Sequence, residues 1–259
     1  MIKLELRNPL FKNLERSSDE YYGDRESCAT IHGTFGKTII LLLVTVAAAI
    51  AAIAFMYNGL SEENLGTFVG ALIAAVIVAL VAGLIATFSV RLCPVFSFIY
   101  AIAEGFLLGV ISLICDLAYP GVALVAVILT FVVTFVMGIL YFTGIIKVGH
   151  KFKAFILTSF IAIILGSIIL AILAALNVPG MRDILYNPSN PIGWIIDIFV
   201  AIIAALSLCL DFDYAARLAD TEADKKYEWK AAFCLTTSII YLYLRILELV
   251  CRVAAATKK

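Results

Sequence analysis

Apolar residues in this chain fall into seven long blocks, at 38–57, 67–89, 95–115, 122–144, 154–176, 193–213 and 231–253. Short polar or Pro/Gly-containing breaks separate them. Asn58–Gly59 and Glu62–Glu63 close the first block, Arg91 and Pro94 part the second from the third, and Tyr119–Pro120–Gly121 ends the third. Lys147 to Lys153 splits the fourth from the fifth, Pro179, Pro188 and Pro191 lie in the next loop, and a charged stretch from Arg217 to Lys230 precedes the last. Inside the blocks Ala, Ile, Leu and Val follow one another without the polar stripe of a surface helix. A bilayer core of roughly 30 Å takes about 20 helical residues. The pattern therefore predicts an all-α bundle of seven membrane-crossing helices. Pairs such as Val132–Val133 and Ile195–Ile196 do not make strands of them, because a membrane strand needs only about 9–11 residues and alternates.

Composition agrees. The chain has 259 residues, 63% hydrophobic and 15% charged, with a mean hydropathy of +1.06. A soluble domain carries about 45–50% apolar and about 25% charged residues, so one water-soluble core is excluded. Nineteen basic residues balance nineteen acidic ones, which gives no reason to expect a nucleic-acid partner. Their positions say more. Lys3, Arg7, Lys12, Arg16, Arg25 and Lys37 precede the first helix, and Arg91, Lys147, Lys151, Lys153, Arg217, Lys225, Lys226 and Lys230 fall in alternate loops on the same side. The other side holds Arg182, then Arg252, Lys258 and Lys259 near the end. The positive-inside rule thus predicts a cytoplasmic N-terminus and an outside C-terminus. The expected organisation is a polar cytoplasmic tail at 1–37, without the apolar region of a signal peptide, a transmembrane domain at 38–253 and a short tail at 254–259.

Few motifs carry chemistry. Gly33-Thr-Phe-Gly-Lys-Thr38 approaches a phosphate-binding loop, but the leading glycine of that pattern would fall at Ile31. The six cysteines lack paired metal spacing. Cys115 and Cys251 fall near helix ends at similar depth, where sequence leaves a bridge open. His32 and His150 are too few for a zinc site or a catalytic triad. Neither an enzyme nor a cofactor is expected. Gly66 with Gly70, and Gly105 with Gly109, have the spacing of close helix approach.

Six ionisable residues inside apolar blocks stand out: Glu104, Asp197, Asp211, Asp213, Arg245 and Glu248. A charge near the bilayer centre costs at least ~2.5–3.5 kcal/mol and usually faces a partner in the bundle. Asp211 and Asp213 point about 200° apart around their helix, whereas Asp197 returns to within about 40° of Asp211, some 21 Å away. From the basic side Asp211 lies about 3 Å deep, Glu104 about 14 Å, Arg245 about 21 Å and Asp197 about 24 Å. By this depth Arg245 is level with Asp197, within reach of Glu104 and poorly placed for Asp211. On the seventh helix Glu248 can reach Arg245 at i,i+3 and Arg252 at i,i+4.

Several segments resemble one family in order along nearly the whole chain: Arg7-Asn-Pro-Leu-Phe11, Tyr100-Ala-Ile-Ala-Glu-Gly-Phe-Leu-Leu-Gly109, Tyr141-Phe-Thr-Gly-Ile-Ile-Lys-Val148, Leu210-Asp-Phe-Asp213, Glu228-Trp-Lys-Ala-Ala-Phe233 and Tyr241-Leu-Tyr-Leu244. They are similar to the Bax inhibitor-1-like membrane proteins, in a mostly bacterial branch. That resemblance implies a seven-helix bundle with the last helix near its centre, in a bacterial cytoplasmic membrane, acting as a pH-sensitive calcium leak in ion homeostasis or stress protection. It also implies a proton-sharing acid pair between the sixth and seventh helices. Asp211 matches the first acid, and the second is expected at position 245, where this chain has Arg; Asp197 stands where the family more usually has a small polar residue, and the two departures together imply an intramembrane Asp197–Arg245 pair. Glu104, Asp211, Asp213 and Glu248 become the expected ion-pathway or pH-sensing residues, with Glu104 and Asp211 as transient calcium contacts. The alternative is a non-conducting regulator that binds a membrane protease or another membrane partner through its tail.

Overall fold

The computed structural model describes residues 28–59, 65–176, 178–181, 187 and 190–257. Most of the N-terminal tail, with Arg7-Asn-Pro-Leu-Phe11, lies outside the described residues, as do Glu62–Glu63, Arg182, Lys258 and Lys259. The described residues form seven helices: α1 (Ile31–Gly59), α2 (Leu65–Phe88), α3 (Cys93–Ala118), α4 (Val122–Phe142), α5 (His150–Ala175), α6 (Pro191–Asp220) and α7 (Lys226–Thr257). Among these residues the β structure is one isolated bridge, Cys28 with Asp224.

The helix starts follow from local chemistry. Pro94 sits in the first turn of α3, where its missing N–H costs nothing. Asn190 caps α6 by accepting a 2.9 Å hydrogen bond from Ile192 N, with Pro191 just inside. Between α3 and α4 the chain reverses through Gly121, whose φ of +87° needs glycine. The Asp116 carboxylate accepts from Gly121 N at 2.8 Å and fixes that corner.

Six helices, α1 to α6, contain a stretch long and apolar enough to cross a membrane. Large apolar side chains such as Leu43, Leu80, Leu124, Phe135 and Leu165 lie on their outward faces. A belt of that extent has no aqueous explanation, and its medium is the lipid bilayer. Seven apolar spans were expected. The difference is α7, which has the length at 32 residues but carries Lys226, Glu228, Lys230, Arg245, Glu248 and Arg252.

Packing shows how that helix is accommodated. It lies against α1, α3, α4 and α6, and touches α2 more lightly, whereas α5 packs mainly on α6. The main core joins α4, α6 and α7 through Met137, Leu208, Phe212, Leu235, Leu242 and Leu247. Smaller clusters tie α7 to the α1–α3 group through Leu41, Ala101 and Ala232, and through Ala86, Cys93 and Phe233. The α1–α3 contact is backbone-close. A Cβ on Gly105 would lie 2.4 Å from Thr45 O, and one on Gly109 would lie 2.4 Å from Ala49 O. Gly66 and Gly70 have open space instead, so their spacing serves no such contact here. None of the six cysteines is in a disulfide, and the Cys115 and Cys251 thiols are hydrogen-bonded to each other.

Candidate functional site

One face of α7 carries Cys234, Ser238, Tyr241, Arg245, Glu248 and Arg252, spaced four, three, four, three and four residues apart. That spacing keeps all six on one side of a helix. Opposite them α6 presents Asp211 near one end and Asp197 near the other. A polar seam thus runs through an apolar bundle. At its first end Asp211 faces Ser238. The second carboxylate oxygen, Oδ2, is shielded and has no hydrogen-bond partner. In the middle Arg245 lies 5.0 Å from the Tyr241 ring and donates from Nη1 to Glu248 Oε2 at 2.8 Å. At the far end Arg252 Nε stands 2.5 Å from Asp197 Oδ2 in an ion pair.

The expected Asp197–Arg245 pair is therefore not formed: Arg252 takes Asp197, and Arg245 takes Glu248. Side-chain direction explains the exchange. Helical side chains lean toward the N-terminus of their own helix. The helices are antiparallel, so Asp197 leans away from the α6–α7 loop while both arginines lean toward it. The arginine two turns farther along α7 is the one that meets the acid. Burial supports the assignment, because the Asp197 and Arg252 side chains are 12% and 10% exposed, against 49% and 33% for Glu248 and Arg245.

Asp211 meets the Ser238 hydroxyl on α7, two turns from Arg245. Asp213 faces away from Asp211, as the helical angle requires, and accepts from Lys153 Nζ and Arg217 Nε at 2.7 Å each. It clamps α5 to α6. Glu104 lies beside Tyr100, one turn back on α3, whose hydroxyl reaches Thr237 of α7. Glu104 is thus placed beside Tyr100, and Asp211 beside Ser238. Among the described residues no group of three or more His, Cys, Asp or Glu could hold a metal ion.

The most buried acid was not among the expected residues. Glu228, 1% exposed at the start of α7, accepts from Thr30 N at 2.7 Å, from Thr30 Oγ1 at 3.0 Å and from Lys37 Nζ. Lys37 also lies 5.1 Å from the Trp229 ring. Gly33 leaves the space the carboxylate occupies, since a Cβ there would be 2.4 Å from Glu228 Oε1. The glycine and lysine that imitate a phosphate loop are thus the cradle of an internal carboxylate. Burial pushes the Glu228 carboxyl up, but the hydrogen bonds from Lys37 and Thr30 outweigh it and hold the group below the ordinary glutamate value. Beside it Ala29 N donates to Ala223 O at 2.6 Å, which fixes the segment before α1 to the α6–α7 loop.

Fold and seam together define an integral membrane protein with several apolar helices around one polar helix. A family model described as Bax inhibitor 1 like matches residues 8–255, and the chain belongs to that family. Comparison with curated proteins and with solved structures found no match.

The Glu228 cluster carries a stability prediction. Lys37→Met strands a buried carboxylate and should cost about 3–5 kcal/mol, read as a fall in the unfolding midpoint in detergent. Adding Glu228→Gln should recover part of that loss. The folded carboxyl titrates below the unfolded one. Its contribution is therefore complete above the ordinary glutamate value of about 4.3 and disappears as pH falls below it toward the folded value. Glu228→Gln should remove that component of the acid-side loss.

Proposed function

We propose that the protein is a gated leak for a small cation, calcium in the first instance, with its route along the α6–α7 seam. In this reading α7 is the seventh span, so the termini lie on opposite sides and the basic face is cytoplasmic. The observation that carries the proposal is the free Oδ2 of Asp211, a shielded carboxylate oxygen without a partner among the described residues. Such an oxygen is a binding position for a proton or for a hard, oxygen-seeking cation. Arg245 stands farther along the same face of α7, where its charge repels an entering cation. The present arrangement is thus read as closed, with Glu248 and Tyr241 holding the blocking arginine. Glu104, off the seam beside Tyr100 and about 14 Å deep by helical rise, is assigned a secondary role as a titrating acid.

In liposomes the purified protein should pass calcium at some value between about pH 5 and 8. Asp211→Asn should lower the flux about tenfold, equivalent to about 1.4 kcal/mol of lost stabilisation, and Arg245→Gln should raise it. Absence of flux across that whole range would overturn the proposal.

One observation favours a second reading, a regulator that engages a membrane protease or another membrane protein through its tail. The bridge between Cys28 and Asp224 and the Thr30–Glu228 hydrogen bonds anchor the root of the tail on the face that bears the α6–α7 loop. Cross-linking in membranes should then lose specific partners when residues 1–25 are deleted. An unchanged partner set would reject this reading.

A further inference from the structure

A groove of about 440 Å³ opens on the flank of the bundle between α1, α3 and α4, with α7 as its floor. It is distinct from the seam, which lies between α6 and α7. Its outer walls, including Ile50, Leu124 and Phe131, are also strongly exposed on the lipid-facing surface. The groove is therefore an inward fold of the lipid belt.

Of the hydroxyl groups that line it, the four in its interior are already engaged, and the fifth, on Tyr57, is on a strongly exposed side chain. Thr45 Oγ1 donates to Leu41 O at 2.9 Å, Thr130 Oγ1 to Ala126 O at 2.7 Å and Ser112 Oγ to Leu108 O at 2.6 Å. With the Ser112 proton spent, the 2.7 Å contact to Tyr243 is a bond donated by the tyrosine. The interior offers hydrocarbon and satisfied hydroxyls, which is a surface for an alkyl chain and a poor one for water.

The mouth differs. Asp116 lies in the last turn of α3, with one carboxylate oxygen on Gly121 N. Its charge adds to the negative end of the helix dipole. A cation at the level of the lipid head groups is the complementary partner.

We infer that this groove binds one acyl chain of a phospholipid whose head group carries an ammonium, an aminophospholipid such as phosphatidylethanolamine, with that ammonium at Asp116. The chain lies along Ile50 and Val127, and the carboxylate selects the head.

Native mass spectrometry of the protein taken from vesicles of equal phosphatidylethanolamine and phosphatidylglycerol tests this. The expected result is one retained lipid per chain, the aminophospholipid favoured roughly two- to fivefold, as for an exposed ion pair. Asp116→Asn keeps the Gly121 hydrogen bond, so it should still retain a lipid but lose the preference. Val127→Trp projects into the groove from a partly lipid-exposed position and should lower retention several-fold, as should Leu124→Trp if the first variant folds poorly. Equal retention of the two lipids by the unmodified protein would overturn the inference. So would unchanged retention in a folded groove-filled variant, or a dimer that seals the groove with a second copy.

Discussion

Charge inside a low-dielectric medium is the constraint that organises this molecule. Arg245, Glu248 and Arg252 on α7, with Asp197 and Asp211 on α6, could not face hydrocarbon individually without several kcal/mol of penalty. The bundle answers with enclosure and pairing. Four helices wrap α7, and the contacts that hold them close are made where side chains are smallest, at Gly105 and Gly109 of α3 against α1 and at Ala101 and Ala232 in the shared cluster. The apolar helices are thus the solvent for α7, and lipid is the solvent for the apolar helices. Asp197 with Arg252 is the deepest expression of this arrangement, since both side chains are nearly excluded from the surroundings and each is intolerable alone.

Much of this was legible in the residue order. Apolar block length and Pro/Gly breaks announce α1 to α6 because those helices obey one local rule, continuous hydrophobicity over a bilayer thickness. The opposition of Asp211 and Asp213 was equally accessible, since helical angle needs no tertiary knowledge. The pairing of Asp197 was not. Depth counted along two helix axes put Arg245 level with Asp197, but side chains of four or five bonds reach past their own Cα, and their lean reverses between antiparallel helices. The position opposite Asp211 depended on the same interhelical register, which a single sequence does not contain.

Glu228 illustrates a different gap. Its partners Thr30 and Lys37 lie about two hundred residues earlier in the chain, and no local period links them. The available signal was indirect: a glycine and a lysine four residues apart on a helix start, in a motif that fails as a phosphate loop. Gly33 removes a Cβ and Lys37 adds a cation on the same face, which is what a buried carboxylate from elsewhere requires. Together with the Ala29–Ala223 hydrogen bond, this cluster sets where the chain enters α1 relative to the α6–α7 hairpin. The hairpin then sets the register in which the seam's charges meet.

The account therefore rests on one register, in which α6 neutralises α7 through Asp197 and Arg252. Double-mutant cycles measured by unfolding in detergent address it directly, comparing Asp197→Asn with Arg252→Gln against Asp197→Asn with Arg245→Gln. The expected result is a coupling of about 1–3 kcal/mol for the Arg252 cycle and a distinctly smaller one for the Arg245 cycle, whose charge reaches Asp197 without pairing with it. A strong coupling to Arg245 together with additivity at Arg252 would contradict the register and the seam built on it.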